Sequence, residues 1–377
     1  MNIGFDAKRI FYNETGLGNY SRTLVRLLKK SYPFEHYYLF SPPMRGENPH
    51  KHRQEFSDCT IVEPEHFLDR IFPAYWRNYS VVKSLPKYNL DIYHGLSHEI
   101  PRGIEKTGIK SIVTIHDLIF LRYPEFYKSW DVAMYKRKYL ASCFRADAII
   151  AISENTKKDI LEHLNIPAEK IHVVYQSASA DYYQAIPEHE TRRVRQKYLL
   201  PETYLLYVGS LNKRKNLAPL IEAIPRLKNK DLQLIIVGSG SEKKRLEQVV
   251  QNEGVSRQVR FLSGVPNEDL PSLYHGARVF IYPSLYEGFG IPIIESLLCK
   301  TPVILNHGSC FHEAAGEGGL YVDVSNSMKL AEAIDFLLDD QNNLEVARKG
   351  FDHVQKFSPE NFVKHTYELY KQISVGR

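Results

Sequence analysis

YPSLYEGFGIPIIESLLCKTPVILN, residues 282 to 306, carries a strand end, a loop with two glycines, an apolar helix and a second strand in one short run. The β-branched stretch that closes at Tyr282 and the PVIL that follows the helix predict two parallel strands joined by a crossover helix. In such sheets the ligand crevice lies beyond the carboxyl ends of the strands. Helix side chains lean toward the helix N-terminus, so Glu287 in the loop and Glu295 on the helix are both predicted to face that crevice. Two ionised carboxylates are acceptors only and suit the hydroxyls of a sugar and a ribose. Gly288, Phe289 and Gly290 offer backbone that a ligand can approach closely, and the helix start after Gly290 offers N–H groups for an anion.

Outward from this segment the same alternation runs through most of the chain. MNIGF, YYLF, DIYHG, SIVTIHD, AIIAIS and IHVVY occupy the first half, and TYLLYVGS, LQLIIVGS, VRFLSG, VFIYPS and PVILN the second, with helical patterns between them. This predicts an α/β protein with helix-covered parallel sheets. At 377 residues the chain exceeds one ordinary core, and the strand signals lapse around 178–190, which predicts two doubly wound domains. Their expected bounds are 1–183 and 184–356. A final helix is expected in 357–377, with Ser358 as its N-cap and Pro359 in the first turn.

Composition narrows the function. Apolar residues at 43% and charged residues at 25% are ordinary for a globular chain. A formal charge of +5, spread without long basic runs, gives no nucleic-acid footprint. The four cysteines, Cys59, Cys143, Cys299 and Cys310, lack CxxC pairing and read as reduced thiols. With neither a basic and apolar leader nor a membrane-spanning run, the expected location is cytoplasmic. Residues 67–88, FLDRIFPAYWRNYSVVKSLPKY, mix aromatics with Arg and Lys and leave open a peripheral contact with the inner face of a membrane.

The span from Glu287 to Glu295 resembles the Glu, seven residues, Glu signature of the retaining nucleotide-sugar glycosyltransferases of glycosyltransferase family 4. YVGSLNKRKNLAPLIEAI (207–224), FLSGVPNEDLPSLYHGARVFIYPSLYEGFGIPIIESLLCKTPVI (261–304) and ADAIIAISENTKKDI (146–160) resemble the family as well. The resemblance implies the GT-B fold: two Rossmann-like domains whose parallel sheets face one another across a cleft, with the C-terminal helix crossing back to the first domain. It also implies that Lys215 contacts the donor phosphates and that His116, at the end of SIVTIHD, reaches the transferred sugar. Many members carry Arg where Ser210 stands, and Arg214 is the expected substitute. TGLGNYSRTLVRLLKK resembles the family's N-terminal glycine loop, which makes Gly16 an anion contact. A dinucleotide fingerprint is excluded because Ser21 stands where its third glycine belongs.

His307, Cys310 and His312 are too few, and lack a second cluster, for a structural metal site, and no paired carboxylates at a strand end mark Mg²⁺. No cofactor or metal is expected. The expected partners are a nucleotide-sugar donor and a glycan or lipid-linked saccharide acceptor in cell-surface polysaccharide synthesis. Charge on the departing diphosphate falls to Arg214, Lys215 and the backbone. The resemblance implies retention of configuration; a hexose, mannose or similar, is the expected sugar, with glucose, galactose, rhamnose and N-acetyl sugars left open by the sequence. A non-catalytic sugar-nucleotide-binding subunit and a GT-B-like epimerase are the competing readings.

Overall fold

The structure, a computed structural model, describes residues 1–374. It divides into two compact units, Met1–Gln176 together with the helix Pro359–Ser374, and Ser177–Ser358.

The sheet of the first unit has strands β1 (Asn2–Asp6), β2 (His36–Phe40), β3 (Thr60–Val62), β4 (Ile92–Gly95), β5 (Lys110–Ile115), β6 (Ala148–Ala151) and β7 (Ile171–Val173). They are parallel, in the order β3-β2-β1-β4-β5-β6-β7. Strands buried on both faces read as nearly unbroken apolar runs, which is why AIIA and KSIVTI were legible. One layer of core, with Phe5, Leu24, Ile112 and Phe362, packs the helices Gly16–Ser31 and Pro359–Ser374 on the sheet; the other, with Trp76, Val113 and Ile160, packs the opposite face. In the final helix Tyr370 is fully buried and bonds His94 Nδ1 at 2.6 Å, while Tyr367 stacks on Tyr32 at 3.5 Å.

The second unit repeats the plan with β8 (Tyr204–Val208), β9 (Gln233–Val237), β10 (Val259–Leu262), β11 (Val279–Tyr282), β12 (Val303–Leu305) and β13 (Gly319–Tyr321). All are parallel, in the order β10-β9-β8-β11-β12-β13. In both sheets the strand order reverses direction beside the first strand, between β1 and β4 and between β8 and β11, and ligands of doubly wound sheets bind at such a switch point.

Several expectations need adjusting. The division falls after Gln176 and after Ser358, so the stretch read as a linker opens the second unit. Residues 180–183 form a 3₁₀ turn there and Glu188–Tyr198 a helix. The final helix starts at Pro359, and residues 375–377 of the expected segment lie outside the described residues. β3 and β13, three residues each, were not anticipated. No helix among the described residues is long and apolar enough to cross a membrane.

Candidate active site

At the switch point of the second sheet, β8 leads into Lys213–Lys215. This is a single 3₁₀ turn and not the opening of a long helix: Asn212 caps it by accepting from the Lys215 N–H, and Asn216 takes a left-handed φ of 53°. The helix that follows is only Leu217–Ala223. The turn aims its cations at the loop beyond β11. Lys215 Nζ donates to Glu287 Oε1 at 2.5 Å and to the Tyr282 hydroxyl at 2.5 Å, and Arg214 lies 2.6 Å from the same Glu287 oxygen.

The loop is fixed from both sides. Leu285 N–H donates to the Arg214 carbonyl at 2.9 Å, and Arg214 also donates to the Tyr286 carbonyl. Ser309 accepts from the Glu287 N–H at 3.0 Å and bonds the Glu287 carbonyl at 2.9 Å, and the Cys310 thiol bonds that carbonyl too. Burial pushes the Glu287 carboxyl up, but Lys215 and Arg214 outweigh it and hold the pKa at about 2. Burial also lowers the Lys215 ammonium, with Glu287 acting against this shift and Arg214 with it. Glu287 is thus a carboxylate whose charge opposes the effect of burial on the Lys215 ammonium in a nearly dry site.

Glu295 is held differently. The Tyr274 hydroxyl donates to its Oε2 at 3.0 Å, and among the described residues no ion pair to it is formed. Burial raises its pKa to about 7, and hydrogen bonds from Tyr274 and Tyr182 only moderate the rise. The two acids of the motif therefore sit in opposite electrostatic settings.

Gly290 caps the helix Ile291–Leu298 with φ 89°, and a Cβ there would meet Ile293 Cδ1 at 2.7 Å, so glycine is required. Pro292 supplies no N–H and that of Ile293 bonds the Gly290 carbonyl at 2.9 Å, leaving this helix start poorer in donors than expected. Phe289 is 1% exposed and packs edge-on against Phe357 at 5.1 Å. Its side chain belongs to the core, so only its backbone is available to a donor. Ser210 is exposed and accepts from Asn212 Nδ2 at 3.0 Å.

In the first unit His116 follows β5. Its Nε2 donates to the Leu96 carbonyl at 2.9 Å, which leaves Nδ1 as an acceptor. Burial lowers its pKa to about 4, with the Leu96 carbonyl acting in the opposite direction, so the ring is neutral near pH 7. Gly16 opens the helix Gly16–Ser31 with open space where a Cβ would stand. The sterically demanding glycine is Gly18, whose Cβ would lie 1.7 Å from the Asn13 carbonyl oxygen. Asn13 Oδ1 already accepts from the N–H groups of Thr15 and Gly18, so part of this predicted anion site is filled from within.

Sequence reasoning missed Tyr282, Tyr274, Tyr182 and Ser309, all of which reach the paired acids from distant positions. It also missed His98, at φ 63° beside His116 with ring centroids 5.3 Å apart. The suggestive cluster His307, Cys310 and His312 is dispersed: Cys310 is buried under Glu287, and His312 stacks on Tyr321 at 3.8 Å.

Comparison with known proteins bears on the family and the fold. O-antigen chain mannosyltransferase B of Escherichia coli is 30% identical over 98% of this chain and all of its own length. The O-antigen chain mannosyltransferase RfbU of Salmonella typhimurium is 29% identical over 78% of this chain and 81% of its own. The crystal structure of HepE from Anabaena with UDP and glucose superposes with a TM-score of 0.78 at 20% identity over 99% of this chain and all of that one. A glycosyltransferase from Rickettsia africae superposes at 0.77 and 19% identity over all of this chain and 99% of that one. The fold is GT-B. The family model for glycosyl transferases group 1 matches residues 190–350 and that for glycosyltransferase family 4 matches residues 15–181, and the chain belongs to this glycosyltransferase family.

Proposed function

We propose that the enzyme transfers mannose, with retention of configuration, from a nucleotide-diphosphate sugar to a lipid-linked saccharide during the synthesis of a cell-surface polysaccharide. The observation that carries this reading is the pair of cations, Lys215 and Arg214, converging on one oxygen of Glu287 at the switch point of the second sheet. A diphosphate presents several such oxygens, so it can draw both cations without any change in their positions. The mannose assignment draws on the two O-antigen relatives, which are named as mannosyltransferases.

In this mechanism Lys215 and Arg214 stabilise the charge that builds on the departing diphosphate, in place of a metal ion. Glu295 accepts from the ribose hydroxyls. Glu287, its cations now shared with phosphate, turns a lone pair to the transferred sugar. The acceptor hydroxyl bonds to the anomeric carbon on the face the diphosphate leaves, and its proton passes to a donor phosphate oxygen. No side-chain base is required.

A lipid-linked acceptor has support in the first unit. Phe67, Leu68 and Phe72 are 75%, 67% and 59% exposed. Beside them lies a cavity of about 350 Å³ lined by Lys8, Arg45, Arg70 and prolines. Apolar side chains next to clustered cations suit an anionic lipid head at the inner face of a membrane.

Thermal stabilisation by GDP, UDP, dTDP and ADP and their sugars, with and without chelator, tests the reading. One nucleotide series should raise Tm in chelator, and Lys215→Ala should abolish the rise. If no nucleotide stabilises the protein, donor transfer is not its function.

A further inference from the structure

The Glu287 loop is anchored by two sets of contacts that a bound diphosphate affects differently. One set is cationic: Lys215 and Arg214 hold the carboxylate, and Arg214 also donates to the Tyr286 carbonyl. On the transferase reading above, which this inference presupposes, the diphosphate shares both cations, so the cationic set weakens when the donor arrives. The other set is uncharged and comes from the loop after β12, the strand paired with β11. We infer that Ser309 in that loop is a positioning residue of the donor-bound state, keeping Glu287 aimed at the transferred sugar once phosphate draws on its cations.

The contact is a two-point clamp. Ser309 Oγ accepts from the Glu287 N–H at 3.0 Å and donates to the Glu287 carbonyl at 2.9 Å, so one hydroxyl engages both backbone polar groups of one residue. Holding both stops the chain from pivoting at Glu287, which a single bond would allow. The fully buried Cys310 thiol reaches the same carbonyl at 3.4 Å, but sulfur is a weak donor and leaves the N–H to Ser309. Charge-assisted bonds are about twice as strong as neutral ones, so a diphosphate competes for the cations before it competes for this hydroxyl. The clamp therefore persists in the state in which the ion pairs are weakest.

The chain takes an unfavourable backbone to place the hydroxyl. Gly308 and Ser309 have successive left-handed φ values of 81° and 52°. Glycine adopts such values freely, whereas serine does so at a cost. Glycine at 309 would remove the cost and the hydroxyl together. Strain held at a residue whose side chain grips the putting end of a paired acid is the pattern expected of a positioning role.

Calorimetric titration of the wild type, Ser309→Ala and Ser309→Gly with GDP and with GDP-mannose, or with the nucleotide and sugar nucleotide that stabilise the wild type where these differ, tests the assignment. GDP lacks the sugar, so its affinity should stay within about twofold in both variants. The affinity of GDP-mannose relative to GDP should fall about tenfold, as for one hydrogen bond to a charged group. Thermal melts separate positioning from stability: Ser309→Gly should melt above Ser309→Ala because it relieves the left-handed strain, yet both should show the same lowered ratio. In Glu287→Ala the ratio is already low, and adding Ser309→Ala should lower it no further. An unchanged ratio in Ser309→Ala, a ratio that recovers with Tm in Ser309→Gly, or an additive fall in the double variant would overturn the assignment. If Ser309→Ala fails to fold, the ratio in Ser309→Gly decides alone. A wild type that binds no nucleoside diphosphate sinks the donor reading and Ser309 with it, whereas binding with an unchanged ratio sinks Ser309 alone.

Discussion

Lys215 Nζ and Glu287 Oε1 meet at 2.5 Å in a pocket where both side chains are at most one-tenth exposed, and Arg214 shares the same oxygen. Removing one member of a buried ion pair costs about 3–5 kcal/mol because the other charge is stranded. Glu287→Ala strands two cations, so its unfolding free energy in urea should fall by that order. A bound nucleoside diphosphate replaces the missing charge, so the same nucleotide should raise the Tm of Glu287→Ala more than that of the wild type. Equal shifts in the two proteins would mean that the carboxylate and the phosphates do not share these cations.

The acid limb of stability follows from the same contact. Glu287 titrates near 4.5 when unfolded and at about 2 when folded, because Lys215 and Arg214 prevail over burial. Its contribution is therefore complete above pH 4.5 and is lost as the pH falls toward 2. Urea titrations across that window should show a shallower decline for Glu287→Gln than for the wild type. Parallel curves would assign the acid sensitivity to other carboxylates.

Glu295 behaves in the opposite sense. With its folded pKa raised by burial to about 7, ionisation costs stability as the pH climbs from 4.5 through 7, and above that the cost is constant. Accepting from two ribose hydroxyls needs the carboxylate, so nucleotide affinity should rise with pH about a midpoint near 7. Tyr274→Phe removes a hydrogen bond that favours ionisation and should move the midpoint upward. Calorimetric titrations at several pH values measure both; an affinity flat from pH 6 to 8 would remove Glu295 from the ribose.

Much of this site was legible in the chain, and the remainder was not for identifiable reasons. Alternation of apolar runs with helical spacing exposed both sheets, and the glycine-bracketed acids exposed the loop after β11. Ring-on-core contacts left no comparable trace. Phe289 sits between two glycines and reads as part of a binding loop, yet it packs on Phe357 from far along the chain. The partners of Glu295, Tyr274 and Tyr182, lie on separate elements and carry no motif, so nothing local separates a buried Glu that is hard to ionise from a paired one. His98 was passed over because a left-handed backbone at histidine is invisible in sequence.

The two glycines at the start of the helix Gly16–Ser31 separate fold from function. A methyl group on residue 18 would collide with the Asn13 carbonyl, whose oxygen accepts from Arg22 at 2.8 Å, so the loop cannot yield without losing that bond. Gly18→Ala should therefore be among the most damaging single changes in the first unit, lowering stability by about 3 kcal/mol or more. Residue 16 has no heavy atom within 4 Å of the same added group. Gly16→Ala should instead add roughly 0.4–1 kcal/mol by restricting the unfolded chain. If the donor's phosphate approaches this backbone, that more stable variant will turn over donor poorly, since the methyl occupies the approach. Full activity in Gly16→Ala would confine the glycine pair to helix geometry and leave the diphosphate to Lys215 and Arg214.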